Sequence, residues 1–282
     1  MAALSQSIAA SGPFRFLVGP EKKEYMMHTE LVASLSKPLR ALLTNGMEES
    51  CKRVAEWPEV EETTFVRFFQ FAYTGQFDAE EPEKPPPKTP EPLEDHDLWP
   101  GLSQNSNMTN FAASFQRKQL STFGAVNETK MNIQGQKKAK LWESFQQAYE
   151  PLKDSPARWP LPDQDPTSDF TRVFLAYARL YVLADEKDVQ GLAELSLRRL
   201  HHTLVHFNIQ GQRADSIASL ADYCFENTCD KGGEQDKMRH LICLFTACHF
   251  ETLWTNSEFQ RVFTELREFL TGVIGLMLPR LD

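Results

Sequence analysis

Little in this chain marks it for secretion, for a membrane or for catalysis. The N-terminal MAALSQSIAASGPF has neither a positive segment nor a long apolar core, so no signal peptide is expected. The longest apolar stretches, such as LICLF and VIGLML, fall far short of the roughly 20 residues that cross a bilayer, which predicts no membrane partner. The five cysteines are an odd number and give no disulfide framework, so reduced thiols in the cytoplasm or nucleus are expected. Basic residues are few: 30 Lys and Arg face 39 Asp and Glu, and the net charge is -9. Phosphate binding needs concentrated cations, so nucleic acid is not expected as the main partner. There is no Walker loop, GxGxxG, GxSxG or protease-type cysteine frame, which predicts no enzyme and no cofactor. No fixed-period repeat is present.

What is present is material for a packed core, with 41% hydrophobic residues and 20 Phe against six Tyr. Residues 14–77 read as a compact α+β unit, with residues 1–13 ahead of it as a disordered N-terminus. FRFLV and EYMMH suit two strands of a hairpin, punctuated by Gly19-Pro20. His28-Thr29 opens a helix, with His28 capping or packing at its start. Ser36 can cap a second helical segment with Pro38 in its first turn, and Leu39, Leu42 and Leu43 give it an apolar face. Asn45-Gly46 ends it, and Met47-Glu48-Glu49 then reads as an exposed turn. Lys52 to Trp57 alternates like a short strand, stopped by Pro58. Thr63 or Thr64 can cap the next helix, whose Phe65, Phe68, Phe69, Ala72 and Tyr73 fall on one wide face before Thr74-Gly75.

From 78 to 168 the composition changes. Residues 78–100 carry seven prolines, eight acids and two lysines, a mixture that repels itself and buries little. Residues 101–140 are rich in Asn, Gln and Ser. The interval reads as an inserted, mostly disordered loop, in which LWESFQQAYEPL can make a helical turn or two. Pro87-Lys88-Thr89-Pro90 satisfies PxxP, though a solubilising spacer is the plainer reading. Order returns at Asp169. Phe170, Val173, Phe174, Tyr177, Tyr181 and Ala184 make a helical stripe, and Asp188 can cap a helix carrying Val189, Leu192, Leu200 and Leu204. Asp215–Asn227, Glu234–Phe250 and Ser257–Met277 read as three more helices. The Phe65–Tyr73 face and the Phe170–Tyr181 face each need a partner, and each can supply the other's. A long insertion is tolerable there, because closure entropy grows only logarithmically with loop length.

These residues resemble a BTB/POZ domain. The hairpin phrase LVG…Y(x)₂H is followed by a helical pair and then MEES…VAEWPEVEETTFVRFFQFAYTGQF. FFQFAYTGQF is similar to the family's Tyr-Thr-Gly signature, and YVLADEKDVQGLAELSLRRL, Tyr181 to Leu200, is similar to its following helices. The resemblance implies an α+β fold, a short hairpin or three-stranded sheet packed on helices, with 14–77 and 169–205 as two parts of one domain. Residues 206–282 would be an all-α extension, similar to the helical tail of fungal members.

The resemblance also implies a function in binding proteins. Members that recruit the cullin scaffold of a ubiquitin ligase carry a hydrophobic-x-Glu motif where Met47 and Glu49 fall, so the expected cullin contact is Met47, Glu49 and Leu43. Substrate proteins would be held elsewhere. The alternative is a scaffold or self-association protein without a cullin, including one acting in transcription or chromatin. Dimeric members place an Asp before the first strand; SGPFRFLVG has Pro13 or Phe14 there, which leaves homodimerisation open. A metal is not expected. Cys224-x₄-Cys229 and Cys243-x₄-Cys248 are spaced too widely for a usual zinc pair, and residues five apart on a helix face different ways. His202 and His206 share a helix face but lack the zincin Glu, so a solvated face is expected.

Overall fold

The computed structural model describes residues 2–46, 48–84, 136–149, 168–209 and 213–281. By its internal contacts the chain divides into Met1–Pro85 with Leu141–Asp282, and Pro86–Lys140. Of the second unit only helical residues 136–140 are described. The first unit is mixed α+β, mostly helical, with one three-stranded sheet.

Strands β1 (Pro13–Val18) and β2 (Lys23–His28) form the antiparallel hairpin, with Phe16 opposite Tyr25. β3 (Val54–Trp57) lies parallel to β1 on its other side, with Phe16 opposite Ala55. A parallel neighbour needs a crossover. Helices α2 (Thr29–Leu35), α3 (Lys37–Thr44) and α4 (Glu48–Lys52) supply it. Alternation along β1 turns Phe14, Phe16 and Val18 inward. Against them packs α5 (Glu62–Thr74): Phe16 lies 5.5 Å from Phe65 and 5.2 Å from Trp57, ring centre to ring centre, and Trp57 lies 5.7 Å from Phe68. Rings at these separations add about 1 kcal/mol each beyond the area they bury.

Where neighbouring residues satisfy the backbone, the local signals in the sequence decide the structure. Ser36 Oγ accepts the Leu39 N–H at 3.2 Å, with Pro38 in the first turn of α3. Gly46 and Gly75 take φ of +72° and +71°, the left-handed geometry that glycine adopts without steric cost. Elsewhere tertiary contacts decide. Glu48 and Glu49, expected in an exposed turn, instead form the first turn of α4, where Glu48 pairs with Lys52 at i,i+4. Neither Thr63 nor Thr64 caps α5. The helix starts at Glu62, whose carboxylate receives Lys23 Nζ and Tyr25 Oη, while Thr64 faces the core. The N-terminal residues, expected to lack structure, form α1 (Ala2–Ala10), an alanine-rich stretch ended where Ser11 Oγ donates to the Ile8 carbonyl.

The second part of this unit is helical. α6 spans residues 136–146, of which 141–146 belong here. It is followed by α7 (Thr171–Glu186), α8 (Gln190–His206), α9 (Arg213–Asn227), α10 (Lys237–Leu253), α11 (Ser257–Glu265) and α12 (Arg267–Leu281). Asp188 does not cap α8. It takes φ of +53° and Val189 stands at the cap position, so Asp188 serves the turn instead. The expected last helix is two, broken at Leu266, whose φ of -88° and ψ of 89° leave the helical region.

The two parts meet as their apolar faces require. α5 packs on α7, and Phe77 lies 6.3 Å from Tyr177. The insertion begins later than composition suggests. Residues 78–84 run back along α5, where Arg67 holds Glu80, and Glu83 and Asp169 exchange backbone hydrogen bonds of 3.0 and 2.9 Å. Arg199 on α8 completes the closure. It is 2% exposed, donates to the Phe77 carbonyl at 2.5 Å and to Gln76 Oε1 at 3.0 Å, and lies 3.5 Å over the Phe77 ring. Replacing it with Met removes two charge-assisted hydrogen bonds and a cation–π contact, and is expected to cost about 2–4 kcal/mol in urea unfolding. Lys keeps the charge but not the planar fork, so Arg199→Lys should lose an intermediate amount. An Arg199→Met chain as stable as the wild type would contradict this role.

Candidate functional site

The expected cullin contact falls at the corner between α3 and α4, and only part of it faces solvent. Leu43 is 5% exposed and belongs to the core, because the face it shares with Leu39 packs inward. Little of its side chain reaches solvent. Met47 lies outside the described residues. Glu49 is partly exposed in the first turn of α4, beside the exposed Glu48. The hydrogen bond from Lys52 holds the Glu48 carboxyl below its ordinary range. The corner therefore presents acidic groups at the start of a short helix. His28 does not cap α2 through its side chain; its Nδ1 lies 2.9 Å from Tyr73 Oη, which fixes β2 to the end of α5.

A second candidate is an open groove of about 800 Å³, walled by α6, α7, α8, α10 and the turn before α10. Asp236 organises its floor. One carboxylate oxygen caps α10 by accepting the N–H groups of Met238 and Arg239 at 2.9 and 3.0 Å, and the other accepts Tyr181 Oη at 2.8 Å. Burial and the adjacent Asp236 push the Tyr181 hydroxyl far above its ordinary value, so it stays a donor. Lys231 pairs with Asp185 at 2.5 Å on the rim, and His240 Nδ1 lies 3.1 Å from Gln235 Oε1. The groove thus offers hydrogen-bonding groups of both charges beside an apolar wall.

Ser144, Ala148 and Tyr149 of the insertion form one side of the groove, and the aromatic residues around them seat it on α8 and α10. Phe145 of α6 is 0% exposed, with its ring 4.9 Å from His201 of α8 and 5.5 Å from Phe245 of α10. His201 Nε2 donates to the Phe145 carbonyl at 2.6 Å. Trp142 stacks on Phe145 at 5.2 Å and meets His249 edge-on at 4.9 Å, and Tyr149 lies 5.2 Å from His201. Trp142 and Phe145 share a face of α6 at i and i+3, and Tyr149 extends the contact from the turn after the helix. The helical turns are visible in the sequence but their seat is not, because nothing local ties His201 to residue 145.

The histidine pair lies at the surface of α8, with His206 exposed, and three of the five cysteines pack in the core. His202 and His206 share a face with rings 4.6 Å apart, and His206 Nδ1 donates to the His202 carbonyl at 2.8 Å. Cys224, Cys243 and Cys248 are buried, and burial pushes the Cys243 thiol up to about 12. Among the described residues no cluster of three or more His, Cys, Asp and Glu is arranged to hold a metal, and no helix is long and apolar enough to cross a membrane.

Burial depresses the His201 pKa against the raising effect of its bond to the Phe145 carbonyl. A depressed histidine is neutral in the fold and charged in the unfolded chain. Its stabilisation is therefore complete above the ordinary value of 6.5 and is lost as the pH falls below it. Thermal melts between pH 7.5 and 5 should show Tm falling through this window, and less steeply in His201→Gln. One proton sets a ceiling of about 1.4 kcal/mol per pH unit on the difference. Identical slopes would contradict the assignment.

Compared with known proteins, the chain matches no family model, no curated protein and no solved structure.

Proposed function

We propose that the chain is a protein–protein interaction module of the BTB/POZ type, and that it serves as a substrate adaptor for a cullin-based ubiquitin ligase. One observation carries the reading. The two phrases on which the resemblance rests lie on either side of a long insertion, yet they meet through Arg199: FFQFAYTGQF ends at the Phe77 whose carbonyl and ring Arg199 engages, and Arg199 lies in the second phrase. The order of hairpin, helical pair, third strand and helix is also the order the resemblance implies. In this role the α3–α4 corner faces the cullin, with Glu49 supplying orientation and charge complementarity and Met47 the apolar contact.

The second reading is a scaffold that binds regulators or itself without a cullin. It is favoured by the burial of Leu43, which withdraws that apolar side chain from the surface of the corner. A pull-down of the full chain on a purified cullin N-terminal domain separates the two. The adaptor reading predicts binding by the wild type and its loss in Met47→Ala/Glu49→Lys, with an unchanged melt. No binding by the wild type would overturn it.

A further inference from the structure

Residues 141–149 belong to the stretch that composition sets apart, yet they are seated on α8 and α10 by three aromatic side chains. Two features separate this contact from ordinary core packing. The fold is already closed without it, by Arg199 on the Phe77 carbonyl and by the Glu83–Asp169 bridge at the base of the insertion. In addition, a helix as short as residues 136–146 is marginal in water, so its helicity depends on the seat. A short helix laid in a groove by anchors on one face is a mode by which separate proteins recognise each other. Here receptor and ligand are parts of one chain.

We propose that the face formed by His201, Phe245 and His249 is a receptor for an aromatic helix of a partner protein, and that residues 141–149 occupy it in cis as a built-in competitor. The seated segment defines the partner's chemistry. It is a short helix with an aromatic at one position and Phe three residues on, followed just past the helix end by a further aromatic four residues beyond. The Phe position enters a fully enclosed site and leaves its carbonyl to the His201 N–H. A tethered segment competes at an effective concentration on the order of a millimolar, so a partner must bind well enough to exceed it. Displacing Tyr149 also removes one wall of the neighbouring groove and opens the Tyr181–Asp236 floor to the partner. No residue of the α3–α4 corner takes part, so this inference and the cullin reading stand or fall separately.

The test titrates a fluorescein-labelled peptide spanning residues 136–149 into the full chain. The wild type presents a filled site and Trp142→Ala/Phe145→Ala an open one. The expected Kd is at least tenfold lower for the double variant, with no binding by a peptide that carries Phe145→Ala. Equal affinity for the two chains overturns the proposal, as does no binding to a variant whose melt stays cooperative. If the variant loses its cooperative melt, a wild-type chain carrying protease sites at 120–125 and 155–160 is cut and challenged with excess labelled peptide. Exchange of the cut fragment for the peptide supports the proposal. A fragment that leaves only when the rest of the protein unfolds overturns it.

Discussion

Arg199 brings a charge into the middle of the fold, where an unpaired guanidinium would be costly. It is tolerable because the residues after α5 are shaped to receive it, with a carbonyl, an amide oxygen and the face of a ring. That receiving site lies 122 residues away in sequence, so it exists only when both parts of the chain have come together. The planar fork of the side chain suits two acceptors and a ring at once. A long insertion can then lie between the parts without weakening their register, since the cation fixes where the end of α5 sits on α8.

The rest of the unit follows from that placement. α5 lies between the sheet and α7, with Phe65 and Phe68 turned toward Phe16 and Trp57. The crossover from β2 to β3 carries the α3–α4 corner outward, which puts Glu48 and Glu49 at the surface while Leu43 stays in the core. On the helical side, Asp236 joins α7 to α10 by capping one and holding Tyr181 of the other. Arg239 does similar work one turn on, where it reaches the Phe225 carbonyl and Thr228 after α9 and Glu268 of α12. The surfaces with a claim on partners are attachments to this frame.

What was legible in the sequence was what neighbours in the chain decide. The hairpin, the Ser36 cap with Pro38, the glycine ends at Gly46 and Gly75 and the buried stripe of α5 depend on residues a few positions apart. Where a distant group competes, local reading gave way. Glu62 opens α5 ahead of Thr63 and Thr64 because Lys23 and Tyr25 reach its carboxylate from β2. The apolar face of α3 was visible, but whether Leu43 meets the core or a partner is settled by the whole assembly. Phe145 shows the same division, since its helical spacing is in the sequence and its histidine seat is not.

The central claim is that the two separated parts fold as one unit while the insertion's helix is an attachment to it. Native-state hydrogen exchange tests this most directly, because it reports the opening free energy of each helix. The account predicts that amides of α5, α7 and α8 open together at the highest free energy, with those of α6 opening separately and more easily. Exchange of α5 independently of α7 and α8, or of α6 only with global unfolding, would contradict it.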